Sequence, residues 1–569
     1  MVRKIWDDIL PAIPPGAIST LGKLLFSRSW IKFEKAAAAP VKAQGERLAA
    51  ILGRNSGTVF GREHNFSAIR TPEQFRASVP VRDWSGFEPY INRMTSGERN
   101  VLVAGDVLFF GRTSGTSGTP KYIPVTQEYI DEYLLGRRVW MRQVIASFPG
   151  LVRGKLLTVH STGIEGRTPS GIPYGSITAP MSRSRQWSSI AGGFDEIPPD
   201  VYSIPDFEAR YYCILRFALE SRISVIGAIN PSTIVLLARK LSEYEPQLAA
   251  DLQAGSLNPD IFIDPVLRRR LEMRLAPNPA MAAAVRGSYE RHGVVKLRDV
   301  WPGLCGVLSW KGGSAPFFIA QFKEWFDGIP VMDYGYGATE GNFTVPLSPE
   351  GDDGVCIPLG HYMEFIPEGM RDKGGDAALT MDRLEKGGRY HVLVTGSHGL
   401  YRYDINDVVE CTGHYMKAPR LRFLHKGGSV LSVTGEKVTE QQVVEACSRA
   451  ASGAAVRFAG FSCTVRMAET PYYLVGVECA DGSPDEILMD FLMRFDDELA
   501  VLNLEYEAKR RSLRLGFPRL VLFSPGAFDR YRDEQVRSGA ADSHVKPPHL
   551  VRDEALFGRF EIVREVGVE

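Results

Sequence analysis

The sequence predicts an α/β fold: a large N-terminal domain with partly parallel sheets and flanking helices, then a small α+β C-terminal domain. Three observations carry the prediction. The chain has 569 residues, room for more than one domain of ordinary size. As far as about residue 410, short apolar runs ended by glycine or turn residues alternate with helical periods, as βαβ units do. Near residue 425 the order changes to two β-rich runs, one long helix and a last strand.

Taken in order, residues 1–55 read as helical. KFEKAAAAPVKAQGERLAAIL is rich in alanine and straight-chain residues, and only Pro40 interrupts it. Buried strands are expected in VLVAGDVLFFG (101–111), GKLLTVHSTG (154–163), ISVIGAIN (223–230), GIPVMDYGYG (328–337) and YHVLVTGS (390–397). Among the helices between them, PSTIVLLARKLSEYEPQLAADL opens on serine and threonine caps. Beyond Ala454 come the runs AAVRFAGFSCTVRM and PYYLVGVECA, the single helix DEILMDFLMRFDDELAVLNLEYEAKRR and the strand PRLVLFS. Paired glycines in HKGGSVLSVTGEK (425–437) can absorb a backbone change. The expected domains are therefore 1–425 and 431–569, with the hinge at 426–430.

Charge excludes several classes of partner. Lys+Arg 67 balances Asp+Glu 67, so nothing supports a nucleic-acid or membrane surface, either of which favours a basic excess. The 7 cysteines include no C-x-x-C pair, which points to reduced thiols. Asp7 and Asp8 interrupt the segment where a signal peptide is apolar, and no run approaches the roughly 18 apolar residues of a membrane span. A soluble, cytoplasmic protein is expected. The 10 histidines show neither H-e-x-x-H spacing nor metal-ligand pairing, and His160 and His398 read as core or capping residues at strand ends.

Three segments carry chemistry. FFGRTSGTSGTPKYIPVT (109–126) sets Thr113, Ser114, Gly115, Thr116, Ser117 and Gly118 before Lys121, with no bulky side chain from Thr113 to Pro120. Glycines let backbone N–H groups converge on a phosphate, hydroxyls add donors, and a lysine supplies a point charge. Pro120 and Tyr122 around the lysine rule out the Walker-type loop. VMDYGYGATEGNFTVP (331–346) has glycines at the wrong spacing for a dinucleotide fingerprint. GLYRYDINDVVE (399–410) reads as a strand of mixed charge.

T-S-G-T-S-G-T-P-K resembles the phosphate loop of the adenylate-forming superfamily. Tyr336-Gly337-Ala338-Thr339-Glu340 is similar to its Y-G-x-T-E motif, and Asp407 takes the place of the aspartate in its Y-R-x-G-D motif. The resemblance implies the adenylate-forming fold with a small mobile C-terminal domain. It implies that Tyr336 stacks on adenine, Thr339 meets the α-phosphate, Glu340 holds Mg²⁺ and Asp407 takes the ribose hydroxyls. Two departures stand out: Asp404 replaces the motif's arginine, putting a local ion pair in doubt. Asn406 replaces its glycine, and asparagine best tolerates the left-handed backbone such a turn needs.

The segments VWPGLCGVLSWKGGSAPFF, KAPRLRFLHKGGSVLSVTGEK, LNLEYEAKRR and DSHVKPPHLVR narrow the likeness, from about residue 55 to 560. They resemble the auxin-conjugating acyl-acid amido synthetases (the Gretchen Hagen three family), here identified as a bacterial member. His544 and His549 stand where that family has glutamine and arginine. The likeness implies ATP and Mg²⁺ as cofactors, and a small carboxylic acid and an amino acid as substrates, in a monomer or weak dimer. Lys546 becomes the mobile catalytic lysine, joined by Glu340 and Lys121, and Lys437 a second lysine near the nucleotide. Tyr174, Ile177, Tyr211 and Tyr212 correspond in position to acyl-contacting segments, although apolar core explains each equally well. The competing functions are an acyl-CoA or carrier-thiol ligase of the same superfamily, which shares the first half-reaction, and a non-catalytic nucleotide-binding protein.

Overall fold

The structure is a computed structural model. It describes residues 14, 16–17, 20, 23–24 and 26–566, apart from 114–120, 160–163, 178–179, 182–196, 314, 327, 428–429, 432–435, 437, 469, 480–482, 512–514, 539–544, 546 and 552–553. The chain divides into two compact units, residues 1–405 with 410–422, and residues 406–409 with 423–569.

The first unit opens on helices α1 (Ser27–Ala38) and α2 (Pro40–Asn55). Pro40 separates them because it lacks the N–H to continue α1, yet suits the first position of α2. The strand expected from residue 101 begins only at β1 (Phe109–Thr113). Val101–Val103 are buried all the same, because other groups satisfy their carbonyls: the Phe60 amide reaches Val101 at 3.1 Å and the Tyr401 hydroxyl reaches Leu102 at 2.6 Å.

β1 pairs antiparallel with β2 (Lys121–Val125), Thr113 facing Lys121 across the register. Helix α3 (Gln127–Ser147) follows, capped by Thr126, whose hydroxyl accepts the Tyr129 amide at 3.3 Å. Strands β3 (Lys155–Thr158), β4 (Gly166–Arg167) and β5 (Pro173–Gly175) come next. Then come helix α4 (Phe207–Ala218), strand β6 (Ile223–Gly227) and helices α5 (Pro231–Glu243) and α6 (Glu245–Ala254). Strands β7 (Gly306–Leu308) and β8 (Val331–Met332) complete a wholly parallel sheet in the order β3-β6-β7-β8. β2-β1-β5-β4 form a second, mixed sheet. Tyr212, Ile226, Leu237, Trp301 and Val307 belong to the large apolar cluster that buries the parallel sheet under its helices.

After β8 the chain makes a tight hairpin, β9 (Gly337–Ala338) with β10 (Gly341–Asn342). It then builds β11 (Thr344–Val345), β12 (Gly354–Cys356), β13 (Tyr362–Pro367), β14 (Arg389–Thr395), β15 (Tyr403–Tyr415) and β16 (Ala418–Lys426). These six form one sheet in the order β11-β12-β16-β15-β14-β13. A buried ion cluster ties it to a short helix at Pro72–Ser78. Glu364 takes the Arg402 Nε at 2.9 Å and the Arg76 Nε at 2.9 Å. Three of the other Arg402 N–H groups go to the carbonyls of Arg76, Val79 and Gly375.

In the second unit, β17 (Val430–Leu431) and β18 (Val438–Thr439) precede helix α7 (Glu440–Gly453), which opens on a capping box between Thr439 and Gln442. Strands β19 (Phe458–Arg466) and β20 (Tyr472–Cys479) are antiparallel. The single helix expected next is two, α8 (Asp485–Leu502) and α9 (Leu504–Arg511). Asn503 breaks it: its backbone is extended, and its side-chain oxygen accepts the Tyr506 amide at 2.9 Å as a fresh N-cap. β21 (Arg519–Phe523) joins β20 in parallel and β22 (Ile562–Val566) closes the sheet in the order β19-β20-β21-β22. All seven cysteines are free thiols. Among the described residues no helix is long and apolar enough to cross a membrane.

Glu364→Gln leaves two guanidinium groups around a neutral amide in a buried setting. The variant should lose about 3–5 kcal/mol of stability, read as a lower urea midpoint at an unchanged slope. A midpoint equal to the parent's refutes the structural role given to this cluster.

Candidate functional site

β1 and β2 hold the two ends of the glycine- and hydroxyl-rich loop. Thr113 and Lys121 face one another where it leaves and re-enters the sheet. Ser114, Gly115, Thr116, Ser117 and Gly118 lie outside the described residues. Alternation along the paired strands puts Gly111, Lys121 and Ile123 on one face, and Phe110, Arg112, Tyr122 and Pro124 on the other. The Lys121 ammonium stands 5.9 Å from the centre of the Trp84 ring. Trp84 was not visible as a site residue, since it comes from a separate turn far from any motif.

The second motif leaves the C-terminal end of β8, the end of a parallel sheet at which ligands bind in such folds. Asp333 shapes the exit. Its carboxylate accepts the Gly335 amide at 3.0 Å, and Gly335 sits at φ 84, in the left-handed region where a side chain is strained. Burial pushes Asp333 up to about 7. β9 and β10 pair Ala338 with Gly341, so Thr339 and Glu340 are the two residues of the turn between them. Tyr336 is 4% exposed, with its ring centre 4.9 Å from that of Phe343, so its ring packs behind the hairpin.

The turn lies against the phosphate-loop strand. A Cβ placed on Gly111 would come 2.6 Å from the Thr339 Cγ2 and 3.4 Å from the Ile177 Cδ1. Glycine at 111 is therefore the condition for this contact. A hydroxyl and a carboxylate on one turn, beside a strand that leads into glycines and hydroxyls, suit a phosphate chain and its counter-ion. Mg²⁺ needs only one or two protein carboxylates when phosphates and water complete its octahedron, so Glu340 fits as a ligand. No cluster of three or more metal-binding side chains occurs among the described residues.

Beneath the turn is a polar layer that no motif announced. The Tyr129 hydroxyl donates to the Thr339 carbonyl at 2.7 Å. His361 and His398 stack with ring centres 5.6 Å apart. Burial holds His398 down to about 3 and His361 well below its ordinary value, so both are neutral. His398 is the capping residue its position suggested, its Nδ1 accepting the Leu400 amide at 3.0 Å. Glu132 of α3 accepts the Ser397 hydroxyl at 2.6 Å and pairs with Arg47; burial pushes its carboxyl up to about 7 against both partners.

The third motif is described by itself. Asn406 adopts φ 60 within β15, so the expected left-handed backbone is kept without glycine, inside a strand and not in a turn. Asp404 pairs with Arg371 at 3.2 Å, a different ion pair in place of the one the missing arginine put in doubt. Asp407 is buried, and the Lys426 ammonium lies 3.1 Å from its Oδ1. Lys426 stood in the sequence as the first hinge residue, not as the partner of a carboxylate. Lys437 and Lys546 lie outside the described residues.

The four candidate acyl contacts are not brought together. Ile177 is beside Gly111 and Thr339. Tyr174 pairs with Phe110 in the register and sets its ring 5.2 Å from that of Tyr122, on the opposite face of the sheet. Tyr211 and Tyr212 are buried in the helical core, where the Tyr212 hydroxyl donates to Asp251 at 2.5 Å. Polar satisfaction and helix packing account for Tyr212 without a ligand.

Comparison with known proteins adds the following. Residues 30–331 match the GH3 family N-terminal domain, 354–426 the GH3 family central domain and 439–555 the GH3 family C-terminal domain. The chain is 25% identical to a jasmonoyl–L-amino acid synthetase of Nicotiana attenuata, covering 90% of this chain and 91% of that one. It is 27% identical to an indole-3-acetic acid-amido synthetase of Oryza sativa subsp. indica, covering 90% and 88%. A solved acyl acid amido synthetase in complex with 2,4-DB superposes with a TM-score of 0.83 at 22% identity, over 95% of this chain and 97% of that one. That likeness shows the fold.

The histidine layer makes stability depend on pH. His398 is held down to about 3, whereas an unfolded histidine titrates near 6.5. Between these values the unfolded chain binds the extra proton, so stability rises with pH. Acidification from pH 7 to pH 5 should therefore cost about 2 kcal/mol through His398. Burial holds Glu132 and Asp333 up to about 7, and these act in the opposite direction over the same range. The test is therefore a difference: on acidification the parent should lose about 2 kcal/mol relative to His398→Asn in urea denaturation. Equal losses in the two proteins contradict the neutral buried assignment.

Proposed function

The chain belongs to the GH3 family, and from that premise we propose that it is an ATP-dependent acyl-acid amido synthetase, a ligase that forms a carbon–nitrogen bond. It activates a small carboxylic acid as an acyl adenylate, releases pyrophosphate, and passes the acyl group to the amine of an amino acid. The observation that carries the reading is the contact of the Thr339–Glu340 turn with Gly111 of the phosphate-loop strand. The relatives' names supply the substrate class. A bacterial source is our reading of a chain that shares only 25–27% of its residues with these plant enzymes.

A carboxylate is a poor electrophile, because its oxygens repel a nucleophile and no good leaving group is present. Attack of that carboxylate on the α-phosphate of ATP forms the new O–P bond and expels pyrophosphate. The protein's part is positioning and charge compensation. Residues 113–118 cradle the phosphates, Lys121 sets a positive charge beside them, and the Thr339 hydroxyl donates to the α-phosphate. Glu340 holds the Mg²⁺, which offsets phosphate charge when bound. Gly337 and Ala338 carry the turn along the nucleotide, with Tyr336 behind it at the adenine end, and Asp407 accepts from the ribose hydroxyls.

Ile177 is assigned to the acyl group, being the candidate that stands beside Thr339. We assign residues 1–425 to nucleotide and acid, and 431–569 to a mobile domain that carries Lys546 and Lys437, with the hinge at 426–430. In the adenylating arrangement Lys546 meets the carboxylate and the α-phosphate. In the second half-reaction the amine attacks the acyl carbon, AMP leaves with the bonding electrons, and the amine sheds a proton.

Pyrophosphate exchange with a panel of aryl, indole and aliphatic acids should identify the acid. Glu340→Ala should lower that exchange at least 100-fold, in line with losing one charge-stabilising group; an unchanged rate removes the metal assignment. Product mass with an amino acid mixture should then show the amide. A coenzyme A adduct in its place supports the thioester ligase, and binding without exchange supports a nucleotide-binding protein.

A further inference from the structure

Two buried imidazole nitrogens without partners lie under the Thr339–Glu340 turn. His398 is fully enclosed, and its Nδ1 accepts the Leu400 amide at 3.0 Å. A ring nitrogen that accepts a hydrogen bond carries no proton, so the proton of the neutral ring is on Nε2. That Nε2 is buried with no partner of good geometry, and the backbone of Glu340 is its neighbour. Unmet buried donors are rare in folded proteins and call for an explanation. His361 stacks on the same ring, and its Nδ1 is likewise buried and unpartnered.

The surrounding backbone is fitted to these rings. A Cβ on Gly396 would come 2.5 Å from the His398 Nε2 and 2.7 Å from the His361 Nδ1, and a Cβ on Gly341 would collide with the His361 Nε2. Both loops share one anchor. Ser397 donates to Glu132 at 2.6 Å, Glu132 pairs with Arg47, and the Arg47 Nε donates to the Gly360 carbonyl at 2.7 Å. The residues before His398 and His361 are thus fixed to the same carboxylate–guanidinium pair.

We propose that His398 is a positioning residue for acyl adenylation: its Nε2–H steadies the backbone carbonyl of Glu340, as the Tyr129 hydroxyl steadies that of Thr339. The two bonds together hold both carbonyls of the two-residue turn, so the Thr339 hydroxyl and Glu340 carboxylate keep one geometry towards the phosphates. His398 touches neither substrate nor metal and acts through the turn. The inference rests on the reading of Glu340 as the Mg²⁺ ligand.

His398→Asn and His398→Gln separate the ring's two roles. Asparagine offers an amide oxygen where Nδ1 stood and can keep the Leu400 bond, but it cannot reach Glu340. Glutamine offers an N–H near the position of Nε2. In pyrophosphate exchange His398→Asn should lower kcat about tenfold or more and raise the half-saturating Mg²⁺ several-fold. Its KM for ATP and its melting temperature should stay near the parent's, and His398→Gln should retain kcat within about threefold. A parental kcat in His398→Asn, or equal losses in both variants, overturns the proposal. Glu340→Ala is assayed alongside. If it retains exchange, the metal reading fails and takes this inference with it; if it abolishes exchange while His398→Asn does not, the positioning role alone fails.

Discussion

Close approach of side chains to glycine backbone governs the first unit. Gly111 admits the Thr339 side chain, Gly341 admits the His361 ring, and Gly396 admits both histidine rings. Each is a place where a Cβ would occupy space already filled, in an interior packed as densely as an organic crystal. The loop strand, the turn and the layer below it consequently form one stack, and their side chains inherit their directions from it. Phosphate-transfer chemistry depends on such fixed directions, because compensating charge works best when no reorganisation is needed at the moment of reaction.

Polar satisfaction supplies the second constraint. Carbonyls of the turn and neighbouring loops are met by side chains from distant segments: Tyr129 for Thr339, Tyr401 for Leu102, Arg402 for Val79 and Gly375. Irregular backbone can be buried near a site only when donors of this kind are brought to it. The ion cluster around Glu364 serves the same end for the sheet that carries the third motif.

Much of this was legible in the residues. Apolar runs with glycine stops located β3, β6, β8 and β14, Pro40 located a helix boundary, and asparagine at 406 announced a left-handed residue. The misses have physical causes. Val101–Val103 are as apolar as a strand, but their carbonyls are met by a tyrosine hydroxyl and a loop amide, not by a ladder. Asn503 splits a continuous helical period because its side chain competes for backbone amides. Tyr211 and Tyr212 look alike as pocket and as core, since aromatic side chains serve both. Tyr129, His361 and His398 meet only in three dimensions: Tyr129 stands more than 200 positions from either histidine, and no spacing rule links the two histidines to each other.

The division of the chain has its own consequence. Residues 406–409 group with the second unit while 405 and 410 on either side group with the first, and the chain returns to the second unit only at Phe423. The polypeptide thus crosses the boundary three times within a stretch of eighteen peptide bonds, from Ile405 to Phe423. Neither unit is a continuous piece of sequence. Dissection at any one bond in that stretch strands a fragment of one unit on the other, so expressing the halves separately would produce two incomplete proteins.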